Sequence, residues 1–315
     1  MENLIFCFNA TVPIFLTMIA GMCFRKLGLF SEDFVKKMNQ FVFKAALPVL
    51  LFQDISNANF YEVWDTKFVL FCFGVTLISI SLITLLSFFI VKDHSLRGEF
   101  IQASYRSSAA ILGIAFIQNI YGNAGMAPLM IIGSVPLYNA MAVVVLSLFR
   151  KGQKGIDRVI IKKTAKGIIT NPIILGILFG LFWPVLKLPQ PVIMQKTIKN
   201  IAVLATPLGL MALGGEFDIR KAAANMKMAS VCTIIKLVIL PAIFLPLAIS
   251  IGFTESKLIA ILTMLGSATT VSSFVMAKNM GHDGTLSSSV VMMTTAFSAF
   301  TLTAWLYLLK TLALI

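Results

Sequence analysis

The chain alternates between apolar runs of about 20 residues and short polar stretches that carry most of its charge. A helix of that length spans the hydrocarbon core of a bilayer. Ten runs fit, at 4–24, 36–55, 68–91, 100–121, 126–149, 168–186, 197–214, 228–252, 257–278 and 286–309. We refer to them as spans 1 to 10. Inside lipid each backbone N–H and C=O needs a partner, which a helix supplies from its own segment. The pattern therefore predicts an all-α polytopic membrane protein of ten transmembrane helices.

Composition agrees with the pattern. Of 315 residues, 58% are hydrophobic and 12% charged, against roughly half and a quarter in soluble domains. The net charge of +13 would suggest nucleic acid in a soluble protein, but no basic-aromatic platform or zinc-finger spacing accompanies it. It is better explained by where the cations fall. With the N-terminus outside, 17 of the 26 Lys and Arg lie on the cytoplasmic side and 6 on the other, as the positive-inside rule requires. Both termini are then non-cytoplasmic, and the expected location is the cytoplasmic (inner) membrane. The start, Met1-Glu2-Asn3, lacks the basic region and cleavage site of a signal peptide, so span 1 is expected to be retained. Cys7, Cys23, Cys72 and Cys232 all sit in apolar runs without a C-x-x-C pair. They read as small buried hydrophobes, and no metal site is expected.

The two halves resemble each other at an offset of 159. Pro13-Ile14-Phe15-Leu16 and Gly21 align with Pro172-Ile173-Ile174-Leu175 and Gly180; Pro48 aligns with Pro207, Ser108-Ala109 with Ser267-Ala268, and Gly122 and Gly125 with Gly281 and Gly284. Five spans per half invert the second half relative to the first, a recurring plan of secondary transporters. The expected organisation is a 5+5 inverted repeat: residues 1–149, a basic cytoplasmic linker at 150–167, and residues 168–315.

In such folds the substrate sits at mid-membrane where helices are interrupted. Span 4 offers Arg106-Ser107-Ser108-Ala109-Ala110, and span 9 offers Gly266-Ser267-Ala268-Thr269-Thr270-Val271-Ser272-Ser273. Small-residue helix packing would explain the same composition, but the equivalent placement favours broken, crossing helices 4 and 9. Lys44, Arg106 and Lys236 are cations inside spans, each costing roughly 2.5–3.5 kcal/mol at a helix centre. Lys44 and Lys236 can snorkel or pair structurally, whereas Arg106 adjoins the proposed break and could clamp a carboxylate with two parallel hydrogen bonds. Every Asp and Glu, Asp54 and Glu216 included, reads as lying in a loop or near a helix end, which argues against a buried carboxylate relay. His94 and His282 read as surface residues. Asn139 in span 5 is interhelical glue or cavity lining, and Thr294, Ser298 and Thr301 share one face of span 10. The substrate-binding set is Arg106, Ser107, Ser108, Asn139, Thr269, Thr270 and Ser272, with Lys44, Lys236 and Ser273 secondary. No catalytic residue and no metal are expected.

These residues resemble the auxin efflux carrier family in its short bacterial form, over the whole chain. Arg106, Ser108 and Gly113 are similar to its Arg-x-Asn-x-x-x-x-Gly stretch. Val135-Pro136-Leu137-Tyr138-Asn139 matches its span 5 motif, and Asn171-Pro172, Gly176, Gly180, Pro207-Leu208, Gly214, Thr295, Ser298 and Thr301 continue the likeness. The family often has Asn where Ser108 and Ser272 stand and Pro near Ala115 and Ala268, so here small residues alone would make the break, or the break is milder. The resemblance implies a scaffold of helices 1, 2, 6 and 7, a moving unit of helices 3–5 and 8–10, and a homodimer. It also implies transport of small organic anions such as malonate or malate by an elevator-like motion. A sodium-coupled organic-anion symporter of the bile-acid type, and a channel or receptor, are the competing readings. A coupling ion, H+ or Na+, is left open, and no other cofactor is expected. A membrane enzyme would need an acidic or His/Glu cluster, which the sequence lacks.

Overall fold

The computed structural model describes residues 2–57, 64–109, 117, 120–121, 125–150, 169–217, 220, 223 and 225–315. Residues 110–116 of span 4 lie outside that set, as does the expected linker beyond Arg150. Among the described residues every regular element is helical. Five stretches of the described residues are long and apolar enough to cross a membrane: Thr66–Ile90, Ala127–Leu148, Val192–Glu216, Met226–Ser250 and Thr285–Thr311. The shorter Pro172–Val185 is also apolar. The protein is thus a polytopic α-helical membrane protein.

In chain order the elements are α1 (Glu2–Lys26), α2 (Glu32–Phe41), a π-helical turn (Val42–Ala46), α3 (Leu47–Ser56), α4 (Thr66–Ile90), α5 (His94–Tyr105), α6 (Ala127–Leu148), α7 (Pro172–Val185), α8 (Val192–Ala202), α9 (Ala205–Glu216), α10 (Met226–Ile234), a second π-helical turn (Ile235–Ile239), α11 (Leu240–Ser250), α12 (Glu255–Gly266), α13 (Ser272–Asn279) and α14 (Thr285–Thr311). Local chemistry sets several starts. Ser31, Asp65, Asp93 and Asn171 each accept a backbone N–H of the helix they precede, the ordinary N-cap bond. Pro172 follows Asn171 at the first helical position, where its missing N–H costs nothing.

Both π turns precede a proline, Pro48 and Pro241. A proline inside a helix removes one donor and crowds the preceding turn. The chain absorbs this by widening: Leu47 N–H donates to Val42 O, and Leu240 N–H to Ile235 O. The carbonyl of Leu237, which lies four residues before Pro241, is taken instead by the Trp305 indole N–H at 3.0 Å.

Two helix pairs pack backbone against backbone. A Cβ on Gly21 of α1 would lie 2.2 Å from Met211 O of α9, and one on Gly214 would lie 2.0 Å from Met18 O. A Cβ on Gly176 of α7 would lie 2.4 Å from Pro48 O of α3, and one on Gly180 would lie 3.2 Å from the Phe52 backbone. Glycine at these positions lets helices approach more closely than any side chain permits.

Spans 4 and 9 are not continuous where the structure describes them. α5 begins at His94, earlier than expected, and ends at Tyr105, with Arg106 extended (φ −70°, ψ 138°). α12 ends at Gly266, Ser267 is extended (φ −75°, ψ 162°), and helix resumes at Ser272. Span 7 is divided by a turn at Val203 and Leu204.

Three sequence readings are overturned, those of Glu99, His282 and Cys23. Glu99 belongs to neither a loop nor a helix end: it is buried within α5. Its carboxylate accepts Gly284 N–H and Ser287 N–H, both at 2.9 Å, and so neutralises the N-terminus of α14. His282 is buried, not superficial. Its Nε2 lies 2.9 Å from Leu146 O and its Nδ1 3.2 Å from Ser95 O, which ties the α13–α14 turn to α5 and α6. His94 is half-buried, its ring 5.1 Å from that of Phe149. Cys72 and Cys232 are buried but Cys23 is exposed.

Candidate functional site

A helix that stops inside a membrane leaves its last carbonyls without donors. The two interruptions meet this need reciprocally. Ser108 N–H donates to Ala268 O at 2.9 Å, which joins the two non-helical segments. The Ser107 hydroxyl donates to Met264 O in the last turn of α12, and the Thr269 hydroxyl donates to Ala103 O in the last turn of α5, at 2.8 Å. Gln102 Nε2 reaches Ser273 O at 2.8 Å, and Thr294 of α14 accepts Thr269 N–H at 3.0 Å. Small hydroxyl residues thus bridge the two interruptions. Their oxygens satisfy backbone that water cannot reach.

Lys236 completes the end of α12. It is wholly buried in the second π turn. Its ammonium donates to Leu265 O, to the Ser107 hydroxyl and, at 3.3 Å, to Met264 O. Tyr138 OH also donates to Met264 O, at 3.1 Å. A cation against the carbonyl end of a helix meets the negative end of the dipole, so Lys236 is anchored by backbone and by one hydroxyl.

Arg106 is equally buried and differently engaged. Its Nη2 donates to Asn139 Oδ1 and Ser272 Oγ, both at 2.7 Å, and Nη1 lies against the Met276 thioether. Nε has no partner. No carboxylate pairs with the guanidinium among the described residues. Asn139 is fixed by its own Nδ2, which donates to Val135 O at 2.9 Å.

Arg106 opens onto a cavity of about 60 Å³ between the interruptions and α3. That volume holds a few waters and no more. Of the residues singled out in the sequence, Arg106, Ser107, Ser108, Asn139, Thr270 and Ser272 line it. Thr270 Oγ1 and Ser272 Oγ are 3.3 Å apart. Thr269, Ser273 and Lys236 lie in the second rank, bonded to backbone or packed behind the wall. Lys44 is exposed on the first π turn and lies outside the lining.

Three further polar lining residues were outside the expected binding set: Tyr138, Thr206 and Asp54. Asp54 was legible in principle. Leu47, Leu50, Leu51 and Asp54 recur at i, i+3, i+4 and i+7, so one face of α3 carries all four.

A second, larger cavity of about 620 Å³ lies between α1, α2, α9 and α13 and includes Arg25, Lys36, Asn39, Glu216, Lys278 and Asn279. Here Glu216 of α9 accepts from Asn39 of α2 at 2.9 Å and pairs with Lys278 of α13 at 2.7 Å. A polar bridge therefore crosses from α2 and α9 to the helix that follows the second interruption.

Comparison with known proteins bears on what this arrangement does. The family model described as "Membrane transport protein" matches residues 6–306. A Rhizobium meliloti (strain 1021) protein described as "Putative malonate transporter" is 26% identical over 297 residues, which covers 88% of each chain. The family is one of carriers, so the protein is a transporter and not an enzyme. With interrupted helices meeting around a buried arginine and a family match over nearly its whole length, the chain belongs to the membrane transport protein family, the auxin efflux carriers.

Proposed function

We propose that the protein moves small organic anions, mono- or dicarboxylates such as malonate or malate, across the cytoplasmic membrane by elevator-like alternating access. The observation that carries this reading is Arg106. A buried guanidinium with no carboxylate partner among the described residues, on a cavity wall between two broken helices, is a standing site for an anion. Ser107, Ser108, Asn139, Thr270 and Ser272 add neutral hydrogen-bonding groups around it. The name of the Rhizobium relative agrees with a dicarboxylate.

The cavity sits between two sets of helices. α3 and Thr206 of α9 face it from one side; the two interruptions and α6 face it from the other. In this reading α1–α3 and α7–α9 form the scaffold, and α4–α6 with α10–α14 form the moving unit. The 5+5 inverted repeat, divided at 1–149, 150–167 and 168–315, is supported by a pair of equivalent contacts. Gly21 packs on Met211, and their counterparts at the offset of 159, Gly180 and Phe52, pack on each other. Both termini lie outside, and the carrier works as a homodimer. At about 60 Å³ the cavity has room for a few waters and not for a dicarboxylate, which is seated only when the two units part.

The test is uptake of labelled malonate and malate into vesicles containing the purified protein. Wild type is expected to show saturable uptake, and Arg106→Ala to reduce it about a hundredfold, as expected for losing a charge-assisted bidentate contact. Undiminished uptake by Arg106→Ala would remove the residue from the site.

A further inference from the structure

Asp54 lines the same cavity as Arg106 but stands on α3, across from the interruptions. It is half-buried, and three leucines, Leu47, Leu50 and Leu51, share its face. Its carboxylate accepts no hydrogen bond and joins no ion pair among the described residues. The neighbours offer no relief. α7, packed on α3, contains no titratable side chain. Lys196 and Lys199 of α8 and Lys44 of the π turn are exposed and unpaired with it. Of the other titratable groups at the cavity, Arg106 is engaged with Asn139 and Ser272, and the Tyr138 hydroxyl with Met264 O. Lys236 is committed to backbone carbonyls behind the wall.

The charge count follows. Arg106 contributes one positive charge to the cavity, and Asp54 one negative charge when it is ionised. A dicarboxylate dianion that places one end on Arg106 brings its other end toward the Asp54 wall. Two carboxylates held together away from water do not both stay ionised; they share a proton. An O–H···O⁻ bond between them is also among the stronger hydrogen bonds available. Resting on the carboxylate reading above, we infer that Asp54 makes the cavity selective for a dicarboxylate carrying one proton, which is held between Asp54 and the far carboxylate. One dianion and one proton bind. Because Asp54 belongs to the stationary scaffold and the ligand to the moving unit, the proton leaves with the ligand as the hydrogen dicarboxylate. The carrier then couples each dianion to one proton with no relay through the membrane.

Calorimetric titration of the purified protein with malonate, in two buffers of different ionisation enthalpy and at alkaline pH, where both free malonate and Asp54 are ionised, counts the protons bound. Wild type is expected to take up about one proton per malonate, so its affinity falls about tenfold for each unit of rising pH. Asp54→Asn is expected to bind malonate with no proton uptake and no such pH slope, and acetate is expected to bind wild type without proton uptake. A wild-type malonate affinity that is flat with pH, or an unaltered proton count in Asp54→Asn, overturns the inference. The wild-type pH series decides alone if the variant fails to fold. Failure of wild type to bind either malonate or acetate instead overturns the carboxylate reading, and this inference with it.

Discussion

Arg106 and Lys236 are two cations sealed in the same protein interior at the same broken segments, with opposite commitments. Lys236 gives its ammonium to two carbonyls at the end of α12 and to the Ser107 hydroxyl. Arg106 meets only side chains, keeps Nε unbonded and faces a cavity. Burial is the same for both and therefore does not distinguish structural from functional charge. The partners do. A cation bound to the carbonyl end of a helix holds the fold, because it meets orphan carbonyls that lipid cannot satisfy, whereas one bound to exchangeable side chains can trade them for a ligand.

The comparison can be broken most sharply at Lys236. Replacing it with Met removes charged hydrogen bonds to carbonyls that lipid cannot satisfy, at a cost of about 3 kcal/mol. Thermal unfolding in detergent should therefore show a clear loss of stability, with malonate binding retained by the protein that remains folded. Arg106→Gln should do the reverse, unfolding near the wild-type temperature but binding malonate far more weakly. If the two variants exchange these phenotypes, the assignment of roles is wrong. Glu99 sharpens the structural half. Glu99→Gln keeps the shape but removes the charge at the start of α14, and is expected to lower stability by about 1–2 kcal/mol without changing malonate affinity.

The smallest effect lies at the membrane edge. Asp65 caps α4 and is paired with Lys257 at 2.5 Å. The Lys257 hydrogen bond, then the Phe68 N–H, hold its carboxyl below the ordinary value of 3.8. Its folded-state value is thus depressed, so its contribution is full above the ordinary, unfolded-state value of 3.8 and is lost as the pH falls through the lowered folded-state value. The pair is partly exposed, so less than about 1 kcal/mol is at stake. Acid-unfolding profiles of wild type and Asp65→Asn should differ at neutral pH and converge at the acid end.

Much of the site could be read from residue types alone. Arg106, Ser108, Thr270 and Ser272 were polar interruptions of apolar runs, and Asn139 stood inside a span; lipid tolerates such residues only where protein or a cavity receives them. What escaped depended on backbone. His282 looked like a surface histidine because both atoms facing it, Ser95 O and Leu146 O, are carbonyls with no sequence signal. Lys236 was visible as a cation, but the carbonyl end of α12 that engages it was not. Thr269 was grouped with the ligand-facing hydroxyls, yet it turns to Ala103 O, since whichever hydroxyl lies nearest an orphan carbonyl is drawn to it. Asp54 was set aside for lying near a helix end, when its spacing from Leu47 and Leu51 already placed it on their face.

The central claim is that substrate occupies the space between the two interruptions and α3. Ser108 lines that space and is half-buried, so a thiol there reports on occupancy. In a background where Cys7 and Cys23 are replaced by serine, Ser108→Cys should react with a small methanethiosulfonate reagent. Malonate should slow the reaction saturably, in step with its inhibition of uptake. A reaction rate indifferent to malonate, in protein that still transports it, would place the substrate elsewhere.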